Sequence, residues 1–392
     1  LSSVDENGII FTNGDNDTFP LWYAQETEGY RTDVRVCNLS YLQTDWYVNQ
    51  MKSQAYESDP LPISMEESQY GNKKREYAYI LDRVDYPVSV KMAMDYFLSD
   101  DERTKTIPGY GKINHLPTGE LFIDIDKEKI LKSGIVPKGY EDKIVDRIDL
   151  SFKDKNTLIL NDLAIIDLLS TNAETGWKRP VYFATTVDPS FFTETDKYFM
   201  RTGMAYEVVP VKLENTPGRY QVNTDKMYDN VMNKFVWGGI DVNPDIYLDE
   251  TIRRMCYSYR IMFIDLIDQL IQEGKTDKAL KALDYCMEKI PGDVVPHNYI
   301  SLQLAMDYYF LKQNEKGKAL HEKIADSAIE YVTWINSLDN NKKRSVQRDY
   351  YYNERALAEQ VIPMFYRFGD EESGKKYLEK AALAGVDINR YF

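Results

Sequence analysis

The loop Asn13-Gly14-Asp15-Asn16-Asp17-Thr18 gathers two carboxylates and two amides between an apolar run and a helical stretch. Ile9-Ile10-Phe11 before it predicts a strand, and Phe19 to Glu28 after it predicts a helix with Pro20 in its first turn and Gly29 at its end. Oxygen-bearing side chains at the carboxyl end of a strand are placed to hold sugar hydroxyls or Ca²⁺. Asp15 and Asp17 are the side chains a Ca²⁺ would use, but the glycine and distal Glu of a calcium loop are misplaced. No cofactor is therefore expected. The same residues have a structural reading, in which Asp17 or Thr18 caps the helix and Gly14 permits the turn. Thr44-Asp45-Trp46 leaves a second predicted strand, Val34–Leu39, in the same way. An exposed Trp beside a carboxylate suits a sugar, whose apolar face stacks while its hydroxyls bond the acid; the alternative is core filling. Asn13, Asp15, Asn16, Asp17, Asp45 and Trp46 are thus the ligand-binding candidates, on one crevice if the two strands are parallel neighbours.

Other chemistry lacks its first requirement. Asp124-Ile125-Asp126 spells DxD, a metal and sugar-nucleotide pattern in one glycosyltransferase class, but it sits on a predicted strand and recurs by chance. His115, His297 and His321 are isolated from one another and from Cys37, Cys256 and Cys286, so no zinc spacing arises. No phosphate-binding glycine loop, dinucleotide fingerprint or nucleophile elbow is present. A net charge of −15 over 392 residues argues against nucleic-acid binding, which selects for clustered Lys and Arg. No stretch reaches the roughly 18 consecutive apolar residues of a membrane span. The opening Leu1-Ser-Ser-Val-Asp-Glu-Asn reads as a processed or truncated end.

The elements that must position these residues fall into two halves. Strand, helix, strand, helix over the first 51 residues is the pattern of a βαβ unit, which predicts a Rossmann-like α/β domain with a mainly parallel sheet over 1–215. Further strands are expected near Tyr77–Leu81, Leu121–Ile125, Arg147–Phe152, Pro180–Thr186 and Ala205–Val209, with helices over Val88–Leu98 and from Asn161 to Leu169. Residues 216–245 read as a connection with a short helix, exposed around Glu214–Tyr220. From 246 to 392 the spacing is helical. Ile252, Met255, Cys256, Tyr259, Phe263, Leu266, Ile267 and Leu270 share one face. Gly274, small Ala279 and terminal Pro291 have the phase of a tetratricopeptide repeat, echoed from Asn314 and from Gly369 with Gly374 at the small position. An all-α, tetratricopeptide-like domain of helical hairpins follows. Many of the 31 tyrosines lie there, including Tyr308, Tyr309 and Tyr350 to Tyr352, as packing or interface residues.

Ile9 to Gln25, Asp33 to Ser40 and Thr44 to Tyr47 together resemble the soluble C-terminal part of a bacterial multispanning membrane family, catalogued as domain of unknown function 2723. The likeness continues through Arg179-Pro-Val-Tyr-Phe-Ala184 and Gly203 to Pro210. That family is abundant in Bacteroidota and is similar to protein O-mannosyltransferases of the lipid-donor glycosyltransferase superfamily. The resemblance implies an accessory, non-catalytic region at the periplasmic face of the inner membrane. Its partners would be its own upstream membrane domain and an acceptor protein or glycan. The superfamily's catalytic carboxylate lies on a loop between membrane helices, so no catalytic residue is expected here. The rivals are a soluble enzyme using Asp15, Asp17 and Asp45 as acids or metal ligands, and a helical-repeat scaffold.

Overall fold

The computed structural model describes residues 1–81, 83–109, 111–346 and 353–386. The chain divides into two compact units, Leu1–Val231 and Met232–Phe392. The first mixes sheet and helix; the regular elements of the second are all helices among the described residues. Tyr350 to Tyr352 lie outside the described residues.

The first unit is built on a six-stranded sheet. Strand β1 (Ile9–Thr12) lies between β2 (Arg35–Asn38) and Val181–Ala184, parallel to both. Each of these strands is buried at every position, as apolar runs in a parallel sheet covered on both faces must be. Beyond Val181–Ala184 the sheet changes sense. Ala205–Val208 is antiparallel to it, Phe199–Arg201 is antiparallel to Ala205–Val208, and Gln221–Val222 closes the far edge. The sheet, expected to be mainly parallel, has three parallel pairings and two antiparallel ones; the short link between Arg201 and Ala205 turns the chain straight back as a hairpin, which pairs its strands antiparallel.

Helix α1 (Asp15–Glu28) follows β1, and α2 (Asp45–Met51) follows β2. Helix α1 begins four residues before its expected start, so Pro20 falls inside it and not in the first turn. Gly14 (φ +87°) opens it and Gly29 (φ +62°) ends it in the left-handed region that glycine tolerates. The helix expected from Asn161 to Leu169 runs from Leu160 to Glu174, and 13 of its 15 residues are buried, so it is enclosed on all sides. Asn161 does not cap it; its Nδ2 donates to the Leu39 carbonyl at 3.3 Å and ties the helix to the end of β2. Asp126 caps Lys127–Ser133 by accepting from the N–H groups of Glu128 and Lys129, which gives the second carboxylate of the DxD pair a structural role.

The stretch Glu214–Tyr220, expected as an exposed connection, is exposed at Glu214 and from Thr216 to Arg219, but it belongs to this unit. Asn215 Nδ2 donates to the carbonyls of Asp196, Lys197 and Phe199, and the Tyr220 ring packs 4.7 Å from Tyr206. Beyond it, Lys226 Nζ bridges Glu207, at 2.8 and 2.9 Å, and Asp5 at 2.6 Å. This fastens the helix Thr224–Asp229 to the sheet.

In the second unit, consecutive helices pair across short turns: Glu250–Gln272 with Thr276–Lys289, Ser301–Phe310 with Asn314–Ser337, and Ile362–Arg367 with Glu371–Leu383. Gly274 (φ +73°) makes the first turn, and Ala279 is fully buried at the close approach. A Cβ at Gly374 would lie 2.6 Å from the Tyr366 ring, so a small residue is required there. Cys256, Phe263, Leu266, Ile267 and Leu270 form the buried face as expected, but Ile252 and Met255, 46% and 40% exposed, do not join it. No helix among the described residues is long and apolar enough to cross a membrane.

Candidate functional site

The parallel pairing of β1 and β2 brings their following loops side by side, and polar side chains sew them together. Thr18, at 0% exposure, shares a hydrogen bond with Thr12 and accepts from Asn38 Nδ2, both at 2.8 Å. Ser40 Oγ donates to Asn13 Oδ1 at 2.9 Å. Asp17 Oδ2 accepts from the Asn13 N–H and from Thr186 Oγ1, both at 2.9 Å, which joins the loop after β1 to the one after Val181–Ala184. Asp17 and Thr18 thus stitch loops and do not cap α1, whose N-cap is Gly14. Asp15 and Asn16 are exposed on the first turn of α1. Asp45 accepts from the N–H groups of Trp46 and Asn72 at 2.8 and 3.0 Å. Among the described residues no group of three or more His, Cys, Asp or Glu side chains could hold a metal ion.

Of the six expected residues, Trp46 lines a cleft of the first unit. It is 55% exposed and belongs to an aromatic strip. Phe19 stacks on Trp22 with ring centres 5.6 Å apart, and Trp22 on Tyr41 at 6.1 Å. Tyr41 meets Trp46 at 6.1 Å, and Trp46 meets the edge of Tyr47 at 5.3 Å. Trp22, Tyr41, Trp46 and Tyr47 line a cleft of about 670 Å³. Its other walls are Gln25 and Glu26 of α1, Val34 to Val36 at β2, Gln50 of α2, and the segment from Ser53 to Ser58. Helical spacing places Trp22, Gln25 and Glu26 on one face of α1, and Trp46 and Gln50 on one face of α2.

The segment 53–58 is a strap held by two buried guanidiniums. Arg35 Nη2 donates to the carbonyls of Ser53, Ser58 and Asp59. Arg179 Nη1 donates to those of Asp59 and Pro60, and its Nη2 to Ser58 Oγ. Burial lowers both guanidinium pKa values, that of Arg179 to about 10, and both stay charged at neutral pH. At the tip of the strap Tyr56 sits at φ +52°, a sterically costly region for a residue with a side chain. Its hydroxyl donates to Glu26 across the cleft, while Thr32 donates to Glu57 beside it. Burial holds the Tyr47 phenol well above its ordinary range, so it stays neutral and accepts the Asn38 N–H at 3.0 Å.

Trp22, Gln25, Tyr41 and Tyr56 were not among the sequence candidates. Phe19 and Trp22 at i, i+3 on a helix were a readable signal; Tyr56, which reaches its partner only through the strap, was not.

A family model described as TMEM260-associated domain 2 matches residues 1–226. That description names an association with TMEM260, and it does not name the domain of unknown function 2723. No curated protein and no solved structure matches the chain.

Proposed function

Because the chain belongs to the TMEM260-associated domain 2 family, we propose that it is the accessory binding region of a membrane glycosyltransferase-like protein. The family description names an association with TMEM260, and the likeness of Ile9 to Gln25, Asp33 to Ser40 and Thr44 to Tyr47 to a protein O-mannosyltransferase-like membrane family points the same way. Its work is recognition of an acceptor protein or a glycan, outside the cytoplasm and beside its own membrane domain. Sugar transfer belongs to that membrane domain. The helical hairpins of the second unit are tetratricopeptide-like in this reading and offer a surface for partner proteins.

The observation that carries the proposal is the aromatic cleft. Exposed Trp and Tyr faces beside amide side chains supply both stacking area and hydrogen bonds, as a sugar or glycopeptide requires. The rival soluble enzyme needs convergent carboxylates. Asp17 and Asp45 are instead occupied by backbone N–H groups, and neither they nor Asp15 line the cleft. The test is titration of the purified chain with neutral oligosaccharides and with glycosylated and bare acceptor peptides, following Trp fluorescence. Saturable binding lost in Trp46→Ala supports the reading. Silence of every probe, or sugar transfer by the chain alone, overturns it.

A further inference from the structure

The outer edge of the sheet has a gap one residue wide, and the cleft lies against it. β2 is the last strand of the sheet. The N–H groups of Arg35 and Leu39 donate inward, to the carbonyls of Gly8 and Thr12. Main-chain groups alternate sides along a strand, so those of Val34, Val36 and Asn38 are directed to the outer edge. The Val34 carbonyl accepts from Gln25 Nε2 at 2.8 Å, and the Asn38 N–H donates to the Tyr47 hydroxyl at 3.0 Å. Between them, neither the N–H nor the C=O of Val36 has a partner among the described residues, although Val36 is only 3% exposed. Unpaired main-chain groups at such burial are uncommon and costly. Val34, Arg35 and Val36 all line the cleft. Their side chains face alternate sides of the sheet, so the surface they share is the strand's edge.

We propose that the cleft takes a neutral pyranose, and that two vicinal hydroxyls of the ring bond the main chain of Val36. One hydroxyl oxygen accepts from the Val36 N–H while its neighbour donates to the Val36 C=O, and the ring lies on the faces of Trp46 and Tyr41. This rests on the binding role proposed above and names its ligand. An extended peptide fits less well, because adding a strand needs outward groups on alternate residues, and the Val34 C=O and the Asn38 N–H are already taken. The ligand is neutral because the charged side chains of the lining are engaged: Glu26 with Tyr56, and Arg35 with three carbonyls of the strap.

The experiment uses the full chain with ¹⁵N-labelled valine and a panel of neutral hexose di- and trisaccharides. It includes derivatives in which each vicinal hydroxyl pair is methylated in turn, and an extended acceptor peptide. Saturable Trp fluorescence change is expected, together with a Val36 amide shift larger than that of other valines. Methylating the recognised pair should weaken binding about tenfold or more. Trp46→Ala, a change at an exposed ring, should remove the response without unfolding the chain. Sugar binding that leaves the Val36 amide unmoved, or that tolerates every methyl ether, overturns this inference and leaves the binding role intact. Binding of the peptide but of no sugar does the same. Silence of all probes overturns both.

Discussion

Trp46 and Asp17 occupy neighbouring loops of one sheet but have opposite surroundings, and their variants should behave oppositely. Asp17 spends one oxygen on the Asn13 N–H and on Thr186, so Asp17→Ala should lose about 1 kcal/mol of stability and leave ligand binding unchanged. Trp46 is 55% exposed, so Trp46→Ala should change stability by less than about 1 kcal/mol while abolishing binding. Urea denaturation beside a fluorescence titration reads both. Equal stability loss in the two variants would make Trp46 a packing residue.

At the scale of elements, buried cations and a buried imidazole act through segments they do not belong to. Arg179 holds the strap by its carbonyls, so Arg179→Met should strand the oxygens of Asn7, Asp59 and Pro60 and cost about 3 kcal/mol. Faster hydrogen exchange confined to residues 53–60 would locate the damage. In the second unit, His321 Nε2 donates to the Val361 carbonyl at 2.7 Å at the end of a π-helical turn, Leu357–Val361, and its ring stacks 3.5 Å from Phe365. Burial lowers the His321 pKa to about 4, below the unfolded value of about 6.5. A depressed histidine favours the neutral form in the fold. Its contribution is therefore intact above about pH 6.5 and is lost as pH falls toward 4, by about 3 kcal/mol once titration is complete. His321→Gln should flatten this part of the profile, read as urea midpoints at pH 7 and pH 4.5. A variant as acid-sensitive as the parent would place the titration elsewhere.

Over the whole molecule, the division falls after Val231, between the two stretches that the sequence offers for cleavage, Glu214–Tyr220 and Phe235–Asn243. Glu214–Tyr220 is tied down by Asn215 and by the aromatic cluster around Tyr220. Phe235–Asn243 carries Val236 and Val242 at 81% and 77% exposure, with Gly238 and Gly239 at positive φ. Limited proteolysis should cut there first and release a helical C-terminal fragment. A first cut at 214–220 would show that the Asn215 anchor does not hold in solution.

Local pattern determined the elements. Apolar runs marked β1, β2 and Val181–Ala184, and 3–4 spacing marked the helix Glu250–Gln272. Gly14, Gly29 and Gly274 stood where left-handed backbone was needed, and the paired order of β1 and β2 followed from short connections. These are legible because period, turn chemistry and connection length act between residues close in the chain. The site was legible only in part. Trp46 was named, but its companions Trp22, Tyr41 and Tyr56 converge through the crossing of α1 over β2 and through a strap anchored by Arg179, about 120 residues away in sequence. The surroundings of the carboxylates were hidden for the same reason. Whether Asp17 faces a crevice or a backbone N–H depends on Thr186, which only the third parallel strand brings near. The open main chain of Val36 was likewise invisible, since a strand's unpaired edge is a property of the sheet's order and not of any residue's type.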